Sequence, residues 1–509
     1  MLREKGRRIN LTTVEKFESL LKKMSAYEEA VSIMYWDMRT GAPKKGIPMR
    51  SEAVGVLSTE LFKMSTSDEM KNYLTELQNE KDGLNPIVLK TVEEVQKEYD
   101  LSKKIPADEY QEYVVLCSES EAIWEEAKEK SDFDLFLPYL EKVVAMTKKF
   151  IGYWGEKDGN AYNRLLDQYE PGLTTEIIDE VFGQLKETIV PLVKKIGAQN
   201  NQPNTSFLFE KFPKEQQKAF NYKILEQLGY DFDAGRLDET VHPFAMGINT
   251  GDVRITTRYD EHDFRSGIFG TIHECGHALY EQNFDKKLEG YPVADGTSMG
   301  IHESQSLFYE HFIGHHEGFW KYNFESLQAH SPEQFGNVSL EEFLSAINVA
   351  QPSLIRIEAD ELTYPLHVMI RYEIEKELFN GDLKVKDLPQ VWNDKYEEYL
   401  GIRPENDAEG VLQDVHWSGG MFGYFPSYAL GYMYAAQLKN AMVKDLPQFG
   451  ELCEKGEFEP ILAWLTEHVH QYGKMKKPLE IIQDTTGEGL NAKHLADYLE
   501  EKYSALYQL

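Results

Sequence analysis

His273, Glu274 and His277 stand in the segment TIHECGHALYEQ as an H-E-x-x-H array. Four residues apart on an α-helix, the two imidazoles share one face, so a single ion can meet both. Neutral imidazole suits zinc at about 2.0 to 2.1 Å, and a catalytic zinc takes three protein ligands and leaves one position for water. Bound zinc brings the pKa of that water to about 7. Glu274, beside the first imidazole, is then placed to take the water's proton as it attacks a carbonyl. Amide hydrolysis is the chemistry this set predicts. The chain has 14 His in 509 residues. With about one residue in ten Glu, such an array arises by chance only about 0.04 times in this length.

A third ligand must come from elsewhere. Continuing the array in the metzincin manner would need Gly at 280 and His at 283, where this chain has Tyr280 and Asn283. Glu281, one turn further along the same helix, would close a tetrahedron badly; orienting a histidine is the use predicted for it. Glu303, in GIHESQSLFYEHF, opens another helical pattern and is the third ligand expected, with Glu310 one heptad later as the alternative.

These groups need helices to set their spacing. Ile268, Ile272, Cys275 and Leu279 form an apolar stripe along the same segment, which leaves the histidines free of the core and predicts Cys275 to be buried and inert. Upstream, Val14, Phe17, Leu20, Leu21, Met24, Tyr27, Val31 and Met34 predict a helix over 13–34, with Thr12 or Thr13 as its cap. Similar patterns follow at about 50–80, 85–105, 108–130 and 134–155. YEPG is a turn ahead of Thr174 or Thr175, either of which can cap the next helix, and QNNQPNTS at 199–206 is a polar loop. The period changes in VHPFAMGINTGDVRITTRY, around 242 to 259. There Val253, Ile255 and Thr257 alternate with Arg254, Thr256 and Arg258 beside NTGD turn chemistry, predicting a strand or hairpin. From about 264 the helical patterns resume, broken by glycine-containing loops at 286–300, 400–410 and 418–423. A mainly α chain is expected, one domain over 1–509 with a helical N-terminal part to about 170 and a catalytic part from about 171.

Composition supports a globular chain: 41% of residues are hydrophobic and 12% aromatic, enough for an extensive core. Fifty-four Lys and Arg against 86 Asp and Glu give a net charge of −32, a field that repels phosphate backbones and anionic lipid. The basic cluster Arg3, Lys5, Arg7 and Arg8 is short and terminal, so neither a nucleic-acid nor a membrane role is expected. No apolar run reaches the roughly 18 residues of a membrane span, and no apolar secretory segment follows the basic start. Cys117, Cys275 and Cys453 are odd in number and far apart, which fits a reducing compartment and no disulfide framework. A cytoplasmic location is the expectation.

Six motifs in order, HPF (242–244), DVRIT (252–256), HECGH (273–277), HESQS (302–306), IRIEAD (355–360) and GVLQDVHW (410–417), resemble the carboxypeptidase Taq family of metallocarboxypeptidases. YWDMRTGAPKKG and LLDQYEPG extend the likeness over nearly the whole chain. The resemblance implies a large helical zincin fold, saddle- or clam-like, with a deep groove and a small antiparallel sheet at its edge, assembled as a homodimer. It implies His273, His277 and Glu303 as metal ligands and Glu274 as the catalytic glutamate. Zinc is the implied metal, one per chain, with cobalt or another divalent ion able to substitute, and specificity is implied to be broad. Leu307 departs from the basic residue expected after HESQS in many relatives, which bears on substrate preference.

A carboxypeptidase must recognise a free α-carboxylate, and a planar guanidinium does so better than an ammonium. Arg356 is assigned that part by resemblance; from spacing alone it would be an ion-pair partner of Glu358, Asp360 or Glu361. Arg254 either pairs within the sheet or aligns an extended substrate along its edge. His416 and Tyr424 are candidates to hydrogen-bond the oxyanion, against the alternative of ordinary core residues. Gln413 and Asp414 are expected to hold His416 in one tautomer. Trp36 and Asp37 are expected to serve packing and a local hydrogen bond, and no role follows for His302. The function expected is a zinc carboxypeptidase that removes single C-terminal residues from peptides with free C-termini. Its rivals are a helical metallo-oligopeptidase cleaving internal bonds and a non-catalytic helical binding protein.

Overall fold

The computed structural model describes residues 11–199 and 202–509. The basic cluster at Arg3 to Arg8, and residues 200 and 201 within the polar loop, lie outside that range. The chain opens with α1 (Thr13–Thr40), α2 (Ile47–Ser65), α3 (Asp68–Asn79), α4 (Pro86–Lys104), α5 (Ala107–Lys130) and α6 (Phe133–Trp154). Thr12 caps α1: its hydroxyl accepts from the Glu15 N–H at 3.2 Å and the Glu15 carboxylate accepts from the Thr12 N–H at 2.6 Å. The expected starts of α1, α2, α4, α5 and α6 lie within a few residues of those observed, but the stretch expected at about 50–80 divides into α2 and α3 where the Ser67 hydroxyl accepts from the Met70 N–H and caps a new helix.

Then come α7 (Ala161–Tyr169), α8 (Thr175–Gly197), α9 (Lys214–Leu228), β1 (Leu237–Glu239), β2 (Ala245–Asn249) and β3 (Asp252–Thr257). The central part holds α10 (Phe264–Gln282), α11 (Met299–Leu307), a π-helical turn at Phe308–Gly314, α12 (Glu317–His330), α13 (Pro332–Phe335), α14 (Leu340–Ile347), α15 (Tyr364–Asn380) and α16 (Leu388–Leu400). The chain finishes with α17 (Pro426–Asp445), α18 (Phe449–Lys455), α19 (Glu459–His468), α20 (Pro478–Thr486) and α21 (Lys493–Tyr507).

The predicted hairpin is β2–β3, antiparallel, with Val253, Ile255 and Thr257 buried against α10. The sheet differs from the antiparallel one expected. A short strand, β1, pairs parallel with β3, so the order is β1-β3-β2 and the sheet is mixed. Only three residues long, β1 carries too little alternation to be read from sequence.

Among the described residues two hydrophobic clusters form. Phe17, Leu21, Met70, Leu74, Leu77, Val88, Val92, Val95 and Tyr99 join α1, α3 and α4. The larger cluster runs from Leu116 on α5 to Tyr507 on α21. Helices α5 and α6 therefore pack into the main core, while α1, α3 and α4 form the smaller cluster.

At the centre, α11 is squeezed between α10 and α17. A Cβ on Gly276 of α10 would collide with the Gln305 carbonyl oxygen and lie 2.6 Å from the Ser306 Cα. On the other side, a Cβ on Gly431 of α17 would lie 2.7 Å from the Cβ of Glu303. Neither position has room for a side chain: the obstacle at Gly276 is backbone, and at Gly431 it is the Cβ of Glu303, which no rotamer change moves, with the Gly300 carbonyl oxygen at 3.0 Å.

Ala normally improves a helix interior over Gly by up to about 1 kcal/mol. We expect Gly276→Ala to destabilise the chain by about 1–3 kcal/mol instead, through overpacking. Urea unfolding would register this as a lower midpoint with unchanged slope; a midpoint at or above that of the wild-type chain would remove the close-crossing argument.

Candidate metal centre

His273 and His277 project from α10 toward α11, and Glu303 on α11 meets them. One donor atom from each residue lies within 4.8 Å of the others. The Glu303 Oε2 is 3.7 Å from His273 Nε2 and 3.4 Å from His277 Nε2. Ligands at about 2.0 to 2.1 Å on a tetrahedral ion lie roughly 3.4 Å apart, so the two carboxylate-to-imidazole distances suit a tetrahedral divalent ion. Both rings turn their Nε2 inward because Nδ1 is taken. The His273 Nδ1–H donates to the Glu310 carboxylate at 2.7 Å, so Glu310 orients His273, while the group that includes both imidazoles has Glu303 as its carboxylate.

His277 is held through an intermediary. Its Nδ1 lies 2.6 Å from His302 Nδ1 and 3.1 Å from the His302 carbonyl oxygen. The other His302 nitrogen, Nε2, lies 2.9 Å from the Glu281 carboxylate. A carboxylate accepts, so His302 carries its proton on Nε2 and accepts at Nδ1. His277 then donates from Nδ1, and its Nε2 lone pair faces Glu303. Glu281 does orient a histidine, but that histidine is His302, for which the sequence offered no role.

Charge agrees with geometry. Burial works to depress the His273 imidazole, yet the Glu303 and Glu310 carboxylates outweigh it and raise it to about 10. Burial takes His277 down to about 4. Glu310 is held at about 2 against the effect of burial, chiefly by His311 and His273, and Glu303 is likewise lowered by His273 and His277. Burial raises Glu274 to about 7, with Glu303 and Glu310 adding to it and His273 opposing. Three enclosed carboxylates around two imidazoles make a region of negative charge that a divalent cation would neutralise. Glu274 has no hydrogen-bond partner among the described residues and is 7% exposed, which leaves its carboxylate free for a small molecule. Cys275 is buried, with its thiol pushed well up by that burial.

A second group of polar side chains lies on the loop leading into α17 and on neighbouring elements. Asp414 accepts from the Arg356 Nε at 3.0 Å and from the Arg371 Nε at 2.7 Å. Gln413 accepts from the Arg356 N–H at 2.9 Å and from the Arg371 guanidinium at 2.7 Å. Gln413 and Asp414 thus hold two buried arginines, not His416 as expected. Arg356 does not pair with Glu358, Asp360 or Glu361. It donates to the Tyr364 hydroxyl at 3.3 Å and lies over the Tyr428 ring at 4.9 Å.

The His416 Nε2 lies 3.3 Å from the Tyr428 hydroxyl, while its Nδ1 is buried without a partner. Burial takes this imidazole to about 4, with Arg356 and Arg371 lowering it further against Asp414, so it is neutral at pH 7. Tyr424 packs at right angles on Tyr169 at 5.1 Å. Burial, Tyr428 and the Glu303 charge all raise its hydroxyl, so it remains a donor. Burial raises the Tyr364 and Tyr428 hydroxyls, with the Glu303 charge adding to it and Arg356 opposing.

Arg254 is placed apart from this group. It lies on the central strand rather than at an edge, bonds Asp252 at 2.7 and 2.6 Å, and stacks on Trp36 at 5.6 Å. With Trp36, Asp37 and Arg50 it lines a cavity of about 600 Å³ to which none of the three metal donors contributes. Trp36 is buried against Phe244, and Asp37 pairs with Arg50. Leu307 is core, 3% exposed.

Arg371 and Glu375 escaped the sequence reading. Glu375 accepts from the Gly423 N–H at 2.8 Å, the Trp417 indole at 2.7 Å and the Tyr162 hydroxyl at 2.6 Å, and so pins the segment that carries His416 and Tyr424. Both sit on α15 at positions that no spacing rule distinguishes from surface charge.

The family model for "Carboxypeptidase Taq (M32) metallopeptidase" matches residues 16–503. Carboxypeptidase 1 of Bacillus subtilis is 59% identical over 502 residues, covering 98% of this chain and all of the relative. Thermostable carboxypeptidase 1 of Thermus thermophilus is 40% identical, with 98% of this chain and all of the relative covered. Among solved structures, the M32 carboxypeptidase from Deinococcus radiodurans superposes with a TM-score of 0.94 at 33% identity, covering 98% of this chain and all of that one.

Replacing His302 with Phe keeps all three candidate donors and the backbone carbonyl of residue 302, but removes the imidazole nitrogen that is the nearer acceptor of the His277 Nδ1–H. Zinc affinity should fall about 10- to 100-fold, read by competition with a chromophoric chelator. An unchanged affinity would show the Glu281–His302–His277 chain to be incidental.

Proposed function

As a member of the carboxypeptidase Taq (M32) family the chain is a metallocarboxypeptidase that acts on peptides, and we propose that it is zinc-dependent, with broad specificity for the terminal residue and Glu274 as general base. The observation that carries this reading is the triangle of His273, His277 and Glu303, sized for a tetrahedral ion and oriented by Glu310 and His302. Cobalt or another divalent ion with the same preference for imidazole would be accepted there.

When bound, the ion polarises the scissile carbonyl and makes a neighbouring water acidic near neutral pH. Glu274 takes one proton from that water as its oxygen adds to the carbonyl carbon. The same carboxyl returns the proton to the amide nitrogen as the C–N bond breaks, giving a free amine and a new carboxylate. His416, neutral and with an unpartnered Nδ1, and the Tyr424 hydroxyl are the groups that would donate to the carbonyl oxygen as it gains negative charge.

Selection for a chain end rests on Arg356. Two guanidiniums, Arg356 and Arg371, share the single carboxylate of Asp414, which leaves one positive charge in a buried place. An α-carboxylate supplies the missing negative charge. An oligopeptidase would have no use for such a receptor, and a binding protein would have no use for an unpartnered Glu274. Arg254, held by Asp252, serves the sheet in this reading rather than the substrate.

Cys117, Cys275 and Cys453 are free, which supports a reducing, cytoplasmic setting. No helix among the described residues is long and apolar enough to cross a membrane. For the homodimer, exposed apolar residues on α2 (Met49, Val56, Phe62) and α5 (Tyr110, Val114, Val115) offer a contact face.

Peptides with free C-termini should be trimmed one residue at a time, and the same peptides amidated should not; equal turnover of both would remove the exopeptidase assignment. Glu274→Gln should retain one equivalent of zinc in the triangle while turnover drops by about 10²- to 10⁴-fold. Arg356→Lys should raise KM far more than it lowers kcat, because a point charge replaces a fork.

A further inference from the structure

Past Glu303, the helix that carries it widens into the π-helical turn Phe308–Gly314. The His315 N–H bonds the Glu310 carbonyl at 3.0 Å, five residues back. In an α-helix, residues five apart are about 140° round the axis. The wider π turn closes that gap and brings position 315 onto the side shared by 310 and 311. One donor atom each from Glu310, His311 and His315 accordingly lies within 4.8 Å of the others, as in the first triangle.

Three further observations mark this cluster. His311 is 8% exposed, and its Nδ1 is buried with no hydrogen-bond partner among the described residues, the Glu361 carboxylate lying 4.0 Å away, beyond hydrogen-bond reach. Asn348 fixes the His315 tautomer. Its amide nitrogen donates to the Leu344 carbonyl at 2.8 Å, so its oxygen faces the His315 Nδ1 at 3.2 Å. His315 then carries its proton on Nδ1 and keeps the Nε2 lone pair available. Glu310 spends one oxygen, Oε2, on His273 and keeps the other. Access is open: His311 and His315 line a cavity of about 740 Å³ that Glu310 does not reach. The nearby Lys502 ammonium is already engaged by Glu361 and by the Tyr498 hydroxyl at 3.2 Å.

We propose that Glu310, His311 and His315 form a second divalent-metal site, distinct from the triangle of His273, His277 and Glu303. Two imidazoles and a carboxylate suit a zinc- or cobalt-type ion, with water completing its shell. The Glu310 carboxylate stands between the two sites, one oxygen orienting a ligand of the first and the other available to the second.

Chelator-treated full-length protein titrated with cobalt chloride, followed by visible absorption and by elemental analysis after desalting, tests this. The wild-type chain should take up two equivalents. His315→Phe should take up one, and so should Glu303→Ala, which disables the other site. His311→Gln, expected to lose the same equivalent as His315→Phe, serves if that variant does not fold. The proposal is overturned if the wild-type chain binds a single equivalent that His315→Phe or His311→Gln retains. Loss of one equivalent in His315→Phe but none in Glu303→Ala would support this site while removing the first triangle as a metal centre, so the two readings fail separately.

Discussion

The contact between α10 and α11 at Gly276 governs the geometry of the centre. An H-E-x-x-H helix fixes only two ligands, and the third must be delivered by a separate element to within a few tenths of an ångström. Here that delivery is steric. The glycine between the two histidines lets the α11 backbone reach the α10 surface, and Gly431 lets α17 press from behind at the Cβ of Glu303. Side-chain packing alone leaves helices about 8–10 Å apart with some freedom to slide. Contact of backbone against Cα removes that freedom, because no rotamer change can relieve it. Precision in the metal triangle is thus obtained from two absent side chains.

Electrostatics sets a second constraint. Buried carboxylates are costly unless matched, and the interior of this chain holds two unmatched centres of opposite sign. Glu274, Glu303 and Glu310 exceed the positive charge around the histidines, while Arg356 and Arg371 exceed the one carboxylate of Asp414. The tyrosines between them, Tyr364, Tyr424 and Tyr428, respond to Glu303, and all three respond to Arg356 as well. A substrate that brings a polarisable carbonyl to one end of this line and a carboxylate to the other completes both.

Much of this was legible in the sequence, and the limits of legibility are physical. The proximity of His273 and His277 was readable because spacing on a helix is a local property, and that Glu303 opens a helix of its own was readable from HESQS; that the three meet in space is what the structure adds. The N-terminal helices were readable from caps and apolar period. What could not be read were contacts made by residues with no local signature. His302 gains its role only because α11 crosses α10 at one angle. Asp414 was assigned to its sequence neighbour His416, yet a buried carboxylate pairs with the strongest available cation, and Arg371 arrives from a distant helix. The mixed sheet was missed because β1 is shorter than one period of any useful pattern.

The spacing of the two charge centres bears on why such a chain would trim ends rather than cut within. An endopeptidase needs only the negative centre and a groove open on both sides of the scissile carbonyl. If the surplus guanidinium serves as proposed, the site would be best satisfied by a chain that ends there, since an internal peptide would meet the positive charge with no anion to offer it. The penalty falls on the wrong substrate rather than a bonus on the right one, and penalties of this kind discriminate strongly, because an unpaired buried charge costs more than a paired one returns. Fixing Arg356 through Asp414 and Gln413 keeps the guanidinium from swinging out to solvent to escape that penalty. In the proposed reading, the pairing that holds the arginine is also what would make it selective.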